Sequence, residues 1–347
     1  MDRLCRIHFR ELVRRDRREE AQTKHIMNVV TGKPMPEFLT GVITPMFTAC
    51  HEDGSLDEEG IRSHVQWLKR SKAVTSLFVR SGVGKMFTFT PEETRQMTEI
   101  VLDEAAGDMY VLVGSSGDFS KGRPREEQYI QQTIELSEFA QEKGATAVVV
   151  VCFGLDPSGD LDEKIFRFYE RLNDALSIPI VIYQPGITPP PFMIKPKVLS
   201  RIAELSNLKG MKFSTNDMKS FGDMCAATAD KDFTMVCGAE TAFLPSLALG
   251  AGGVIGEGCN TYPELLRAIF DFFMSGDLAR AAKAQFLVNK TLEVWDGMDS
   301  ALVGKSYLAR KGVKIKPVTR MMKFDYAPLV DKLEQAIDAA VRPYRKF

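Results

Sequence analysis

The sequence predicts an α/β fold, a (β/α)8 TIM barrel with additional C-terminal helices. From residue 41 onward, short apolar runs rich in β-branched residues alternate with amphipathic helical stretches. That alternation is typical of a parallel sheet whose faces are covered by helices. Eight such units follow one another, and this number favours a closed barrel. An open doubly wound sheet is the alternative, although no G-x-G-x-x-G follows the first strand.

The predicted strands are short enough to cross a barrel once. In chain order they are GVITPMF (41–47), TSLFVRSG (75–82), MYVLVGSSG (109–117), ATAVVVVCF (145–153), IPIVIYQPG (178–186), LKGMKFS (208–214), FTMVCGA (233–239) and GGVIGEG (252–258). Helical patterns such as EEGIRSHVQWLKRS lie between them, and REEQYIQQTIELSEFAQEKG ends at Gly144, a residue type suited to follow a helix. Further helices are predicted from Tyr262 to Trp295, from Ser300 and from Pro328.

We expect three regions, namely a charged N-terminal extension over residues 1–36, a barrel over 37–275 and a C-terminal helical region over 276–347. Residues 1–34 carry nine Lys or Arg against five Asp or Glu and few core-forming side chains. This composition predicts a solvated helical or disordered tail. A mitochondrial transit peptide is disfavoured because such peptides are poor in acids. A natural start at Met27 or Met35 is a further alternative.

Composition excludes several classes of function. A net charge of −1 gives no general reason to expect a nucleic acid or a membrane as partner. No apolar run reaches the roughly 18 residues that a membrane helix needs. Six cysteines form no C-x-x-C pair and the start does not resemble a signal peptide, which favours a reducing cytoplasm. Four histidines without paired spacing predict no metal site.

Lys212 lies between Met211 and Phe213 in a stretch with the pattern of a buried strand. Side chains alternate along a strand, so Gly210, Lys212 and Ser214 share one face, which points into the barrel. Lysine is rarely buried unless it is paired, and an ammonium in apolar surroundings tends to lose its proton. Lys212 is therefore either a reactive neutral amine or a structural lysine paired with a carboxylate.

Tyr183 ends the fifth predicted strand on the same face as Val181. In such barrels the chemistry lies at the C-terminal ends of the strands. Because the fifth and sixth strands are neighbours, we expect Tyr183 and Lys212 to meet in one cavity. Other strand ends carry Thr44, Ser81 to Lys85, Ser115, Ser116, Phe153, Gly238, Glu240 and Asn260.

From about Gly41 to beyond Trp295, the chain resembles the class I, Schiff-base aldolases typified by dihydrodipicolinate synthase and N-acetylneuraminate lyase. Each matching segment is weak alone, and the resemblance depends on their order and spacing. The segments are GVITPMF, SGVGKMFTFTPEE, VGSSG, IPIVIYQPG, NLKGMKFSTND, VCGAE and GAGGVIGEGCNTYPEL.

The resemblance implies that Lys212 attacks the ketone of a pyruvate-type 2-oxo acid and that Tyr183 transfers protons and orients the substrate. Backbone N–H groups of a Gly-rich loop would hold the substrate carboxylate. The predicted substrate-binding residues are Gly82, Val83, Gly238, Ile255 and Thr44. No cofactor is expected. Family members are commonly tetramers, so a homo-oligomer, either a dimer or a tetramer, is expected.

Three positions depart from the synthase pattern. The family's Gly-Thr-Thr-Gly-Glu loop reads SGVGK over residues 81–85, so Val83 replaces the relay hydroxyl. Ile187 follows the Pro-Gly where the synthase has an arginine that binds the aldehyde's carboxylate. The second relay tyrosine corresponds to Phe153 or Gly154. Lys85 stands where an acid is usual and is either a solvated rim charge or a substrate contact.

We therefore expect a Schiff-base lyase, an aldolase or a dehydratase, acting on a 2-keto-3-deoxy sugar acid or a related compound. The alternatives are dihydrodipicolinate synthase proper and a catalytically weakened family member that binds a small acid. Glu240 and Asn260 are possible specificity residues.

Overall fold

The computed structural model describes residues 26–295, 298–320 and 327–345, with the side chains of 327–329 excepted. Most of the predicted N-terminal extension, residues 1–25, lies outside the described residues. The part of it that is described includes an antiparallel bridge between Met27 and Pro34.

Eight parallel strands form a closed barrel in the order β1 to β8, in which β8 pairs with β1. Their bounds are β1 Gly41–Pro45, β2 Ser76–Val79, β3 Tyr110–Gly114, β4 Ala147–Val150, β5 Ile180–Gln184, β6 Leu208–Phe213, β7 Thr234–Cys237 and β8 Gly253–Val254. One helix follows each strand, which confirms the predicted (β/α)8 barrel.

The barrel helices are α1 Glu58–Ser71, α2 Pro91–Ala105, α3 Glu126–Glu142, α4 Leu161–Ala175, α5 Pro196–Ile202, α6 Met218–Thr228, α7 Phe243–Ala248 and α8 Pro263–Met274. Three further helices follow, α9 Leu278–Glu293, α10 Ser300–Arg310 and α11 Ala327–Val341. The predicted C-terminal helices are therefore present. The start of α2 illustrates how local sequence fixes a helix end. Thr90 and Glu93 form a capping box, and Pro91 occupies the first helical position.

Both faces of the strands are buried, which explains their nearly continuous apolar sequences. The outward face packs under the helices and includes Met211 and Phe213. The inward face fills the barrel with a separate cluster that includes Val181, Tyr183 and Val236. The two clusters place Lys212 on the inward face, as the alternation along the strand predicts.

The strands are shorter than their apolar patterns. The eighth predicted strand spans 252–258, whereas β8 contains only Gly253–Val254 because the chain then turns into a 3₁₀ segment, Glu257–Asn260. The side chain of Asn260 stabilises this turn by donating hydrogen bonds to the carbonyl oxygens of Pro45 and Glu257, both at 3.0 Å. The mouth of the barrel is thus built from loops whose residues still have strand-like composition.

The C-terminal helices are attached to the barrel by a buried lysine. Lys305 on α10 donates to the carbonyl oxygens of Thr48 and Val318, each at 2.6 Å. Burial lowers the pKa of Lys305 to about 8. The two carbonyl acceptors satisfy an amine that would otherwise be costly to bury.

No helix in the described part of the chain is both long and apolar enough to cross a membrane. Within those same residues, no group of three His, Cys, Asp or Glu side chains is arranged to hold a metal ion. Cys152, Cys237 and Cys259 are buried in the core, and burial raises the pKa of each thiol.

Candidate active site

A cavity of about 650 Å³ opens at the C-terminal ends of the strands. It brings together six of the seven predicted catalytic and substrate-binding residues: Lys212, Tyr183, Gly82, Val83, Gly238 and Ile255. They belong to loops and strands that are far apart in the chain and meet only because the barrel closes.

Lys212 is the central side chain of this cavity and is only 3% exposed. Its Nζ lies 4.3 Å from the centre of the Tyr183 ring and 5.8 Å from that of Phe78. Burial lowers the pKa of Lys212 to about 8, and the nearby Cys259 and Glu257 oppose that shift. Among the described residues no carboxylate forms an ion pair with Lys212, so the geometry favours a reactive amine over a paired structural lysine.

Tyr183 lies directly opposite Lys212 in the register of β5 and β6. Its ring meets Phe78 edge to face, with ring centres 6.1 Å apart. Burial raises the pKa of Tyr183, the charge of Glu257 raises it further and Ser214 opposes the shift. The hydroxyl lies against the loop after β2, because a Cβ at Gly82 would stand 2.6 Å from the Tyr183 oxygen. Only glycine leaves room for the tyrosine hydroxyl at that position.

The loop after β2, residues 81–85, is fixed by its own hydrogen bonds. Ser81 donates to the carbonyl oxygen of Met46 at 3.0 Å and accepts from the Gly84 N–H at 3.1 Å. The side chain of Val83 is apolar and partly buried, and it lines the cavity where a hydroxyl was expected in the family pattern.

Arg80 supports this loop from behind, and the sequence analysis missed it. Its side chain is fully buried and its backbone has a φ of 51°, a conformation that non-glycine residues rarely adopt. The guanidinium donates to five backbone carbonyl oxygens, those of Met86, Phe89, Gly114, Ser116 and Gly117. Burial lowers the pKa of Arg80 to about 10. An arginine inside an apolar strand pattern was the available signal.

Lys85 forms an ion pair with Asp299 at 2.6 Å, and both side chains are largely buried. Asp299 precedes α10 and also accepts a hydrogen bond from the N–H of Leu302 at 3.1 Å. Lys85 is therefore not a solvated rim charge. Although it lines the cavity, its ammonium is engaged by a residue of the C-terminal region.

Glu240 is built into the cavity wall. One of its oxygens accepts a hydrogen bond from the Tyr262 hydroxyl at 2.5 Å, and the other accepts from the Gly258 N–H at 2.6 Å. Burial raises the pKa of Glu240 to about 7, and these hydrogen bonds oppose the shift. Because both carboxylate oxygens of Glu240 already accept a hydrogen bond, fewer acceptor positions are left for a substrate.

Glu257 is a second acid in the cavity, and the sequence analysis did not single it out. It begins the 3₁₀ turn after β8 and is half-buried. Burial raises the pKa of Glu257, whereas the Ser300 hydroxyl and the charges of Lys212 and Lys85 lower it. An acid near the end of the last apolar strand pattern was the signal that could have found it.

The remaining predicted residues differ in their placement. Gly238 is required by a close approach, since a Cβ there would stand 2.3 Å from the Ser214 hydroxyl oxygen. Ile255 belongs to the inward-facing apolar cluster. In the described structure Thr44 does not line the cavity, because it is fully buried and its hydroxyl donates to the Cys259 carbonyl oxygen at 3.1 Å. A substrate contact by Thr44 stays a prediction.

Phe153 and Gly154, the two positions that correspond to the second relay tyrosine, differ in their surroundings. At Gly154 a Cβ would stand 2.0 Å from the ring of Tyr129, a residue of α3 that fills this space from the side. The Tyr129 hydroxyl donates to the carbonyl oxygen of Val151. Phe153 instead joins an aromatic group with Phe87 and Phe192, with ring centres 6.2 Å and 6.1 Å from its own.

Comparison with known proteins shows that the chain is similar to one family of enzymes over most of its length. The profile of the "Dihydrodipicolinate synthetase family" matches residues 38–321. A 4-hydroxy-tetrahydrodipicolinate synthase from Methanothrix thermoacetophila is 26% identical over 293 residues, which cover 83% of this chain and 89% of that protein.

Solved structures share the fold. Dihydrodipicolinate synthase from Bacteroides thetaiotaomicron superposes with a TM-score of 0.75 at 25% identity, covering 88% of this chain and 100% of that one. YagE from E. coli K12, a prophage protein of the dihydrodipicolinic acid synthase family solved in complex with pyruvate, superposes with a TM-score of 0.75 at 22% identity. Those alignments cover 87% of this chain and 98% of YagE.

Proposed function

Because this chain belongs to the dihydrodipicolinate synthetase family, whose members are lyases of the class I aldolase type acting on pyruvate, we propose that it forms a Schiff base with a pyruvate-type 2-oxo acid. The reaction is the cleavage or dehydration of a 2-keto-3-deoxy sugar acid or a related compound. The observation that carries the proposal is the buried Lys212 amine, 4.3 Å from the ring centre of Tyr183 in an open cavity.

The chemistry begins with the neutral amine of Lys212, which attacks the ketone carbon. Water leaves the resulting carbinolamine, and the protonated Schiff base then accepts electrons from the bond that breaks. Tyr183 supplies a hydroxyl beside the amine for the proton transfers at the ketone oxygen. The N–H groups of Gly82 and Val83 hold the substrate carboxylate, because a Gly-rich loop can bind an anion through its backbone.

The charge of the cavity supports a substrate whose distal part is neutral. Among the described lining residues the cations are Lys212 and Lys85, and Lys85 is paired with Asp299. Ile187 is 79% exposed at the rim, where the synthase pattern has an arginine for a second carboxylate. Synthesis of dihydrodipicolinate is therefore the weaker alternative.

A second candidate is a family member that binds a small acid without efficient turnover. Val83 favours it, because its apolar side chain lines the cavity in place of a relay hydroxyl. The retained pair of Lys212 and Tyr183 argues against it, since binding alone needs neither the reactive amine nor the proton donor.

We further propose a cytoplasmic homo-oligomer, either a dimer or a tetramer. The five described cysteines are unpaired, which fits a reducing compartment. Leu278 and Phe286 on α9 are exposed apolar side chains suited to a subunit contact. The proposed division is an extension over 1–36, a catalytic barrel over 37–275 and a helical region over 276–347 that contributes Asp299 to the mouth of the cavity.

The test is reductive trapping. Incubation with pyruvate and borohydride is expected to add one reduced pyruvate adduct per chain, located at Lys212 by peptide mass spectrometry. Lys212→Ala abolishes the adduct, whereas Lys209→Ala, on the same strand and paired with Asp232, leaves it intact. An unchanged mass under conditions that label a known family enzyme refutes the proposal.

A panel of 2-keto-3-deoxy acids separates the two candidates. Saturable turnover that Lys212→Ala removes rejects the binding-only alternative. Tyr183→Phe is expected to lower that turnover about 10²-fold or more, the usual scale for a lost general acid or base.

A further inference from the structure

Glu257 is an acid in the cavity to which the mechanism above assigns no role. Its main chain is fixed by the 3₁₀ turn and by the hydrogen bond from the Asn260 side chain at 3.0 Å. It lines the same cavity as Lys212 and Tyr183. Its charge acts on both, because it raises the pKa of Tyr183 and opposes the lowering of the pKa of Lys212.

The hydroxyls near Tyr183 supply no basic group, whereas Glu257 does. Val83 contributes no hydroxyl, and the Thr44 hydroxyl donates to the Cys259 carbonyl oxygen at 3.1 Å. The Ser214 hydroxyl forms a hydrogen bond with Tyr183, but a serine hydroxyl is too weak an acid to be present as a base. Tyr183 itself has a raised pKa, so its phenolate is a scarce base near neutral pH. A carboxylate is a weaker base than a phenolate, but it can accept a proton without first having to lose one.

Glu240 is the other acid in the cavity, and its geometry makes it the poorer base. Both of its oxygens already accept hydrogen bonds, from the Tyr262 hydroxyl and from the Gly258 N–H. It is also more deeply buried, at 5% exposed, than Glu257, which is partly exposed and lines the cavity. The comparison selects Glu257 as the acid that a substrate can reach.

We propose that Glu257 is a further catalytic residue, the group that moves the proton to and from C3 of the substrate once it is bound to Lys212 as a Schiff base. This inference rests on the proposed function and adds a residue to it. The probe that defines it is pyruvate, whose methyl carbon is C3.

The step conserves atoms and electrons. The Glu257 carboxylate takes a proton from C3, the C3–H electron pair becomes the C2=C3 double bond, and the C2=N pair moves to the nitrogen and neutralises the iminium. The product is an enamine and a neutral carboxyl group. In the cleavage direction, the C4 hydroxyl gives its proton to water, C4 leaves as a carbonyl, and the C3–C4 electron pair becomes the C2=C3 double bond of the enamine. The neutral Glu257 carboxyl then donates its proton to C3, and the iminium that re-forms is hydrolysed by water.

The groups around Glu257 act on its pKa in both directions. Burial raises its pKa and Asp299 adds to this, whereas the Ser300 hydroxyl, Lys212 and Lys85 lower it. Lys85 is itself paired with Asp299 at 2.6 Å, which reduces its effect on Glu257. A carboxylate whose pKa is raised is a stronger base than one at its ordinary value, which favours removal of a proton from carbon.

The experiment measures hydrogen exchange at the pyruvate methyl group in D₂O by NMR, together with borohydride trapping at Lys212. Glu257→Gln keeps the volume of the side chain but removes the basic oxygen. We expect trapping within about threefold of the unsubstituted protein and exchange reduced about 10²-fold or more. Glu257→Asp, which keeps the carboxylate on a shorter arm, is expected to recover part of the exchange. Glu293→Gln, the same change at an exposed position, is the matched control.

The outcomes separate the two proposals. Absence of any pyruvate adduct in the unsubstituted protein refutes the proposed function. Normal trapping together with exchange within threefold of the unsubstituted protein in Glu257→Gln overturns the role of Glu257 alone. Loss of trapping in a folded Glu257→Gln also overturns it, because Glu257 would then act on the amine of Lys212 and not on C3. If Glu257→Gln does not fold, Glu257→Asp decides: exchange reduced about tenfold or more, with trapping within about threefold of the unsubstituted protein, supports the role, and exchange within threefold of the unsubstituted protein contradicts it.

Discussion

At the scale of single residues, the chemistry of the cavity depends on how burial changes the pKa of a cationic group and of a neutral acid. The same loss of hydration lowers the pKa of the Lys212 ammonium and raises that of the Tyr183 hydroxyl. The first change produces a nucleophile near neutral pH, and the second keeps the phenol protonated as a donor. Neither change needs a charged partner, which explains why the cavity combines a reactive amine with apolar walls.

The lowered pKa of Lys212 predicts how adduct formation depends on pH. Only the neutral amine attacks the ketone, so the rate is expected to rise about tenfold per pH unit below about 8 and to level off above it. The measurement is the initial rate of borohydride-trapped pyruvate adduct across a pH series. A rate that still rises tenfold per unit up to the ordinary lysine value of 10.5 would show that burial has not lowered the pKa.

At the scale of elements, the position of α3 determines what the loop after β4 can contain. Tyr129 on α3 stacks on Phe168 with ring centres 5.8 Å apart and fills the space next to Gly154. A side chain at position 154 and the ring at 129 exclude each other. At position 154, one of the two positions that correspond to the second relay tyrosine, the Tyr129 ring therefore leaves no room for a side chain.

Replacement by alanine is expected to have opposite effects on stability at Gly154 and at Gly222. Gly154→Ala places its Cβ about 2.0 Å from the Tyr129 ring and is expected to lower the free energy of unfolding by about 1–3 kcal/mol. Gly222→Ala, inside α6 with its nearest neighbour 3.7 Å away, is expected to raise it by up to about 1 kcal/mol. Urea unfolding measures both. Equal stability of the two variants would contradict the proposed conflict at Gly154.

At the scale of the whole molecule, the C-terminal helices complete the mouth of a cavity that the barrel begins. Asp299, the residue before α10, forms an ion pair with Lys85, and Ser300 lines the cavity with Glu257. Lys305 anchors the same helix to the Thr48 carbonyl oxygen. The helices beyond the barrel therefore contribute to the electrostatics of the site as well as to its cover.

The ion pair between Lys85 and Asp299 is expected to couple these two regions energetically. Their side chains are 21% and 11% exposed, so water screens the pair less than a surface pair. A double-mutant cycle with Lys85→Met and Asp299→Asn is expected to give a coupling free energy of unfolding of about 1–2 kcal/mol, above the usual range for exposed pairs.

The matched control is the pair of Lys219 and Asp223 on α6, which are 84% and 49% exposed. The same cycle there is expected to give about 0.5 kcal/mol or less. A coupling between Lys85 and Asp299 no larger than that of the control would mean that this ion pair does not couple the two regions.

The sequence by itself determined the features that repeat at short range. The alternation of strand and helix patterns predicted the closed barrel, and the two-residue period of GMKFS predicted that Lys212 points inward. The order of short motifs predicted the family, which the match over residues 38–321 confirms. These features depend on residues that are neighbours in the chain, and local periodicity therefore contains them.

Only the tertiary structure decided which distant residues meet. It joined Lys85 to Asp299, placed Glu257 beside Lys212 and filled the space at Gly154 with Tyr129. It also buried Thr44 at a position that does not line the cavity. In each case the partners belong to different elements, and the distance between them cannot be predicted from a local sequence pattern. The shape and charge of the cavity depend on barrel closure and on the docking of α10, because those two events bring the residues together.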